Sequence, residues 1–393
     1  MYRMVNGVQP YAWGSRTALA TLRGDPAPSP GPEAELWMGA HPLSPSQLEM
    51  DGEQVPLDRL IAQGPERWLG REVAERFGGT LPFLMKVLAA AQPLSLQAHP
   101  SRAQAEAGFS AEQAAGIPLG AAHRNYKDPN HKPEILCALT PFEALYGFRE
   151  VSRTRQLLRS LAVPALGPLL ERLEARAAAE DALRSAVRYL FGLDRQLRTV
   201  LVAAAAEACE RPLPGWEPEA RWARRVAAAY PGDVGVIVML LMNLVRLEPG
   251  EALYLPAGNL HAYLEGTGVE LMANSDNVLR GGLTGKHVDV PELMRVLDFS
   301  PIPPAPLRAV QAGPEWLYPT DALDFRLSRL ELSGGASLPG TTAQVLLCTR
   351  GAVELQRGSD ALALRSGESA FLAGDAEPLQ LRGAGQLFRA TPG

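Results

Sequence analysis

Hydrophobic and polar positions change rhythm twice along the chain. Residues 1–150 carry short apolar runs broken by Gly, Pro and polar clusters, with an early loop marked by Pro26, Pro28, Pro30 and Pro32. Leu81-Pro-Phe-Leu-Met-Lys-Val-Leu88 reads as a buried strand. Gln92-Pro93 breaks it, and Leu94-Ser-Leu-Gln-Ala-His99 resumes with the period of two that separates the faces of a strand. From about Val151 to Tyr230 apolar residues recur at three and four (Leu157, Leu158, Leu161; Leu169, Leu170, Leu173), which predicts roughly four helices. Ser152 and Asp194 are expected N-caps, and Pro231-Gly232 should stop the last helix. Strand patterning returns from about Val234, with turn signals at Glu248-Pro-Gly-Glu, Leu255-Pro-Ala-Gly, Glu265-Gly-Thr-Gly and Arg280-Gly-Gly. Pro301, Pro303, Pro304 and Pro306 read as a linker into a last set of short strands. The expected order is a β domain (1–150), a helical insertion (151–233), completion of that β domain (234–305) and a second β domain (306–393).

Composition narrows the classes. With 393 residues, 46% of them hydrophobic, the chain has ample material for a core, so disorder and disulfide-stapled folds are excluded. The net charge of −5 offers no basic footprint for nucleic acid. Cys137, Cys209 and Cys348 are too few and too scattered for a disulfide framework or a Cys-based zinc site. The first residues lack the apolar stretch of a secretory signal, and Val234 to Val245, interrupted by Asn243, is too short to span a bilayer. A cytoplasmic protein with no nucleic-acid or membrane partner is expected. Of 38 basic residues only Lys86, Lys127, Lys132 and Lys286 are lysines, so lysine is not needed for solubility here. A compact ammonium does what a guanidinium does not: it binds phosphate as a point charge and shifts its pKa readily.

The six histidines (41, 99, 123, 131, 261 and 287) all precede residue 288, so a histidine-held metal belongs to the earlier β domain. In Gly250-Glu-Ala-Leu-Tyr-Leu-Pro256-Ala-Gly258-Asn-Leu-His261, a turn built on Pro256 and Gly258 aims His261 out of the next strand. The spacing resembles the second metal-binding motif of the cupin family. Gln97 and His99, at i and i+2, share one strand face, with Gln97 standing where cupins usually have a first His. Glu134, in Asn130-His-Lys-Pro-Glu134-Ile-Leu, is the best candidate for the carboxylate, and Ser101 to Asp128 would be a loop or helical excursion between them. Two His, one Glu and one amide oxygen form a mixed N/O set suited to zinc, one ion per chain, with manganese or iron as borderline alternatives, and with room for a substrate oxygen.

Ionisable groups crowd the same segments. Lys86 precedes Gln97 by one strand, His131 and Lys132 precede Glu134, and Glu270 is followed by Asn274-Ser-Asp276-Asn277, Arg280 and Lys286. Among apolar neighbours such as Val269, Leu271 and Met272, charges of both signs are costly unless paired or working. Lys86, Arg280 and Lys286 suit a dianionic phosphate, and the acids suit proton handling or holding those cations.

Tyr11-Ala-Trp-Gly14, Ala34-Glu-Leu-Trp-Met-Gly-Ala-His-Pro42, Gln97-Ala-His-Pro100, Tyr126-Lys-Asp-Pro-Asn-His-Lys-Pro-Glu134 and Gly268-Val-Glu-Leu-Met-Ala-Asn-Ser-Asp-Asn-Val-Leu-Arg280-Gly-Gly-Leu-Thr resemble type I mannose-6-phosphate isomerases. The resemblance spans nearly the whole chain. It implies a mainly β fold, two cupin-like jelly-roll barrels plus an α-helical insertion, the C-terminal barrel lacking a metal site. It also implies zinc-dependent interconversion of mannose 6-phosphate and fructose 6-phosphate through a cis-enediol(ate). Zinc then falls on Gln97, His99, Glu134 and His261, and the active-site arginine on Arg280. Lys86, Lys132, His131, Glu270 and Asp276 are the candidate acid–base groups; Lys286, Trp13 and His131 are candidates for substrate contact. One departure is Leu283-Thr-Gly285-Lys286-His287, where relatives usually have Pro before the lysine and an aromatic after it. A monomer whose partner is a small sugar phosphate is expected. Two His and a carboxylate also make the facial triad of a cupin non-haem iron dioxygenase, and a non-catalytic sugar-phosphate-binding cupin would keep the same ligands.

Overall fold

The computed structural model describes residues 1–174, 178–340, 342–374 and 377–393. It is mainly β, with two antiparallel strand systems and a helical region packed on one of them. In the first system the strands Gly7–Gln9, Glu35–Gly39, Phe83–Ala90, His261–Ala273, Glu134–Ala138, Glu251–Leu255 and Leu307–Arg308 pair in that order. The His261–Ala273 strand serves two neighbourhoods. Its second half lies between Phe83–Ala90 and Glu134–Ala138. Its first half pairs with Phe142–Phe148, and through His261 with Leu96–Ala98. Gly266, at φ 135°, stands between the halves, and a Cβ there would sit 2.5 Å from the Phe142 ring. Only glycine accepts both that backbone and that approach. The strands bend around an apolar interior of Leu88, Ala90, Leu136, Ala138, Phe142, Val245, Leu253 and Tyr263 without closing on themselves among the described residues.

Alternation decides what faces that interior. On Phe83–Ala90, Lys86, Leu88 and Ala90 share one face; Phe83, Met85, Val87 and Ala89 share the other and join a second core. Glu134 and Leu136 against Ile135 and Cys137, and Glu270 against Val269 and Leu271, repeat the split. Every charge singled out on these strands therefore projects toward one interior, whose deeper part is apolar.

The second core joins this system to a C-terminal sheet. There, Val310–Ala312, Glu315–Tyr318, Arg326–Leu338, Leu379–Thr391, Gln344–Arg357 and Ser369–Leu372 continue into Tyr2–Val5, Gln47–Met50 and Glu53–Pro56. The chain thus starts in the sheet where it ends, and residues 1–150 do not stay within one β system. Alternation is local, so it carries no information about which distant strand supplies a partner.

Among the described residues, five α-helices occupy the helical region: Val151–Ser160, Gly167–Glu174, Ala179–Gly192, Arg195–Ala208 and Glu217–Ala229. That is one more than the pattern predicts, because a 3₁₀ turn at Pro164–Leu166 divides the first run. Asp194 caps as expected, its carboxylate accepting from Leu197 N–H at 2.8 Å. Ser152 does not; the helix begins at Val151 behind Glu150. Strand does not resume at Val234 either. Gly235–Val238 and Met239–Leu241 are short helical turns buried against the bundle, and the strand starts at Met242. Burial on every side makes such an apolar run ambiguous between helix and strand. The excursion after His99 is the helix Arg102–Ala114, closed at its start by a reciprocal Ser101–Gln104 capping box.

Candidate active site

His99, Glu134 and His261 come together from three distant stretches. Their ligand atoms lie within 4.8 Å of one another, and all three side chains are buried. Register explains the meeting: Glu134 sits opposite Met272 and Leu255, and His261 sits opposite Gln97. Glu134 Oε1 is 3.5 Å from His99 Nε2, and Glu134 Oε2 is 3.5 Å from His261 Nε2. His99 Nδ1 donates to the Asn277 carbonyl at 2.7 Å, and His261 Nδ1 to the Asn259 carbonyl at 3.1 Å. A carbonyl only accepts, so each Nδ1 carries the proton and each Nε2 presents a lone pair.

Those two Nε2 atoms and Glu134 Oε2 are buried without a hydrogen-bond partner among the described residues. Unsatisfied buried acceptors aimed at one point cost free energy unless something electropositive binds there. Two imidazoles, each oriented by a backbone carbonyl, and a carboxylate fit zinc in both donor type and support. Burial, with Lys132 adding to it, pulls His99 down to about 4, so the ring is neutral near pH 7. Burial would raise Glu134, but Lys132 and His99 hold it well below the usual carboxylate range. Gln97 is half-buried and lies in register between His261 and Arg280.

A second charged group sits beside this one. Lys86 Nζ is 3.0 Å from Glu270 Oε2 and 3.6 Å from Glu35 Oε2, all three side chains being buried. The Trp37 indole donates to Glu35 at 2.6 Å, and its ring lies 5.2 Å from the Lys86 ammonium. Burial works against the lysine's charge, but Glu270, Glu35 and Glu134 outweigh it and raise its pKa, so Lys86 is a fixed cation. Burial raises Glu270. Lys132 Nζ touches Glu134 Oε1 at 2.7 Å. Asp276 is exposed on one side, and His41 Nε2 lies 3.4 Å from it. Burial lifts the Asp276 pKa, but His41 and the charges of Lys132 and Lys86 bring it below its ordinary value.

The other candidates are placed as follows. Arg280, half-buried on Leu279–Gly282, has no carboxylate partner among the described residues, and burial lowers its pKa. Lys286 is exposed on the segment that follows. Trp13 stacks on Tyr11 (ring centroids 5.7 Å apart) and packs against the apolar end of the interior beside Leu94 and Tyr146. His131 Nε2 is 2.7 Å from Asp324 and 2.8 Å from Arg102. It therefore bridges to the C-terminal part. Sequence reasoning missed Glu35 and the support it gives Lys86. The signal was present, since Glu35 and Trp37 alternate on one strand and Trp37 pairs with Lys86 in register.

Comparison with known proteins agrees with this geometry. Residues 1–151 match the family model of the phosphomannose isomerase type I catalytic domain, and residues 316–392 match that of the mannose-6-phosphate isomerase cupin domain. The mannose-6-phosphate isomerase of Escherichia coli is 43% identical over 395 residues, covering 99% of each chain, and that of Salmonella typhimurium matches equally. A crystal structure of a zinc-bound mannose 6-phosphate isomerase superposes with a TM-score of 0.92 at 42% identity, covering 100% of this chain and 99% of that one. With likeness on this scale from end to end, and with the ligand-bearing strands paired as described, the chain belongs to the type I phosphomannose isomerase family.

Proposed function

We propose that the protein is a zinc-dependent aldose–ketose isomerase interconverting D-mannose 6-phosphate and D-fructose 6-phosphate. The observation that carries this reading is the convergence of three orphaned, buried acceptors, His99 Nε2, His261 Nε2 and Glu134 Oε2, in a chain of this family. With Gln97 as fourth ligand, these residues would hold one zinc ion. When bound, it supplies Lewis-acid stabilisation of the negative charge that develops on the sugar oxygens at C1 and C2.

The chain's own groups do the rest. Isomerisation removes the C2 proton, shifts its electron pair into a C1–C2 double bond and the carbonyl pair onto O1 to give the cis-enediol(ate), then returns a proton to C1 as the O2 proton passes to O1 and the C2 carbonyl forms. Lys86, whose proton two carboxylates hold in place, acts as a fixed cation for the developing charge, with Glu270 and Glu35 positioning it. That leaves Lys132 and Asp276 to move the proton, a step worth on the order of 10²–10⁴-fold. We assign Arg280, which has no carboxylate partner among the described residues, and Lys286 to the phosphate or the enediolate, as bidentate fork and point charge respectively. We also read the strand systems as two cupin-like barrels, with the helical insertion at 151–233 and the C-terminal unit from 306, in a cytoplasmic monomer. No helix among the described residues is long and apolar enough to cross a bilayer.

The test is a coupled assay for fructose 6-phosphate on purified protein. Turnover should vanish on exhaustive chelation and return with Zn²⁺. Turnover indifferent to chelation would refute the metal's role, and binding of mannose 6-phosphate without product would leave a sugar-phosphate-binding protein instead.

A further inference from the structure

The segment between Ala273 and Leu279 carries Asp276 and leads to Arg280, yet its most deeply buried side chain belongs to neither. Asn277 is 0% exposed, and its amide is fully engaged. Its Oδ1 accepts from Lys127 N–H at 2.7 Å and from Asp128 N–H at 3.3 Å. Its Nδ2 donates to the Asp128 carbonyl at 2.7 Å and to the Asn130 carbonyl at 2.8 Å, with a longer approach to Asp128 Oδ1 at 3.3 Å. One side chain thus replaces the strand partners that Lys127 to Asn130 lack, four residues before Glu134. The backbone carbonyl of the same residue accepts the His99 Nδ1 proton at 2.7 Å.

We infer that Asn277 is a positioning residue for the metal centre. Its side chain sets the path of the stretch that delivers Lys132 and Glu134, while its carbonyl sets the tautomer and tilt of His99. Two ligands from distant stretches of the chain are thereby tied to a single residue in the segment between the His261–Ala273 and Leu279–Gly282 strands. Only an amide supplies both acceptor and donors in this arrangement. A carboxylate of the same size would present oxygen to two carbonyls and to Asp128. Partners that orient a ligating histidine are worth about 10–100-fold in metal affinity.

This inference rests on the zinc reading above, and the experiment separates the two. Zinc dissociation constants are measured by competition with a chelator for the unaltered protein, Asn277→Asp, Asn277→Ser and Leu346→Ala. The last removes a buried side chain of the C-terminal sheet remote from the site and serves as the control for general loss of stability. Asn277→Ser, which drops both donations without adding charge, covers the case in which Asn277→Asp does not fold. We expect zinc affinity to fall 10–100-fold in the Asn277 variants and to change less than about threefold in Leu346→Ala. Asn277 variants holding zinc within about threefold of the unaltered protein would overturn the inference, as would equal loosening in Leu346→Ala. If the unaltered protein itself bound no zinc, the metal reading would fall with it.

Discussion

Lys86 stands on a strand whose other interior-facing residues are apolar, and its charge survives there because Glu270 and Glu35 approach from the strands on either side. Removing one member of such a buried group leaves an uncompensated charge. Lys86→Met, which keeps the volume, should therefore lower stability by about 3–5 kcal/mol and abolish turnover. Denaturant unfolding and the coupled assay check the two parts. A different effect governs Asp276. His41 Nδ1 accepts from Leu43 N–H, so its Nε2 carries the proton that faces the carboxylate. With Asp276 lowered in the folded protein, its ionised form is present above that depressed value and is lost as pH falls through it. If Asp276 works ionised, the acid limb of kcat against pH lies below the ordinary carboxylate range. His41→Ala takes away the strongest lowering influence, so the limb should move to higher pH. A limb that stays in place would remove Asp276 from the proton-moving groups.

At the scale of elements, the His261–Ala273 strand is the component on which the site depends. It carries His261 at one end and Glu270 near the other, and the bend at Gly266 aims both inward. Gly266→Val would drive a side chain into Phe142 and force a left-handed backbone on a branched residue. A loss of about 2–4 kcal/mol in unfolding free energy is expected. By contrast, Ser101→Ala breaks only a helix cap and should cost about 1 kcal/mol with turnover retained. Much of this level could be read from residue order. The Pro256–Gly258 turn and the interior position of Lys86 follow from turn chemistry and alternation. The helical turns at Gly235–Leu241 could not be read that way, because a run buried on all sides has no amphipathic signature. The contact of His131 with Asp324 could not be read for a related reason: the two lie 193 residues apart, and no local pattern announces it.

Considered as a whole, the molecule is held together by a core shared between its two strand systems. Met85, Val87, Ile135, Cys137, Val269 and Leu271 from one side pack with Phe325, Val345, Phe371 and Phe388 from the other. Tyr318 crosses the seam, donating to the Gly250 carbonyl at 2.9 Å and accepting from Cys137 Sγ at 2.9 Å. Residues 1–305 expressed alone would expose one half of that core to water and leave the strand Tyr2–Val5 without Ser369–Leu372. Such a fragment should aggregate rather than appear in the soluble fraction, whereas a soluble, active fragment would show the C-terminal sheet to be dispensable. The central claim concerns one point in this assembly, where side chains from positions 97, 99, 134 and 261 meet. Anomalous diffraction at the zinc edge from crystals of the zinc-loaded protein tests it most directly. A single peak bonded to His99 Nε2, His261 Nε2, the Glu134 carboxylate and the Gln97 amide oxygen is the predicted result. A peak elsewhere, or none in protein that turns over mannose 6-phosphate, would contradict it.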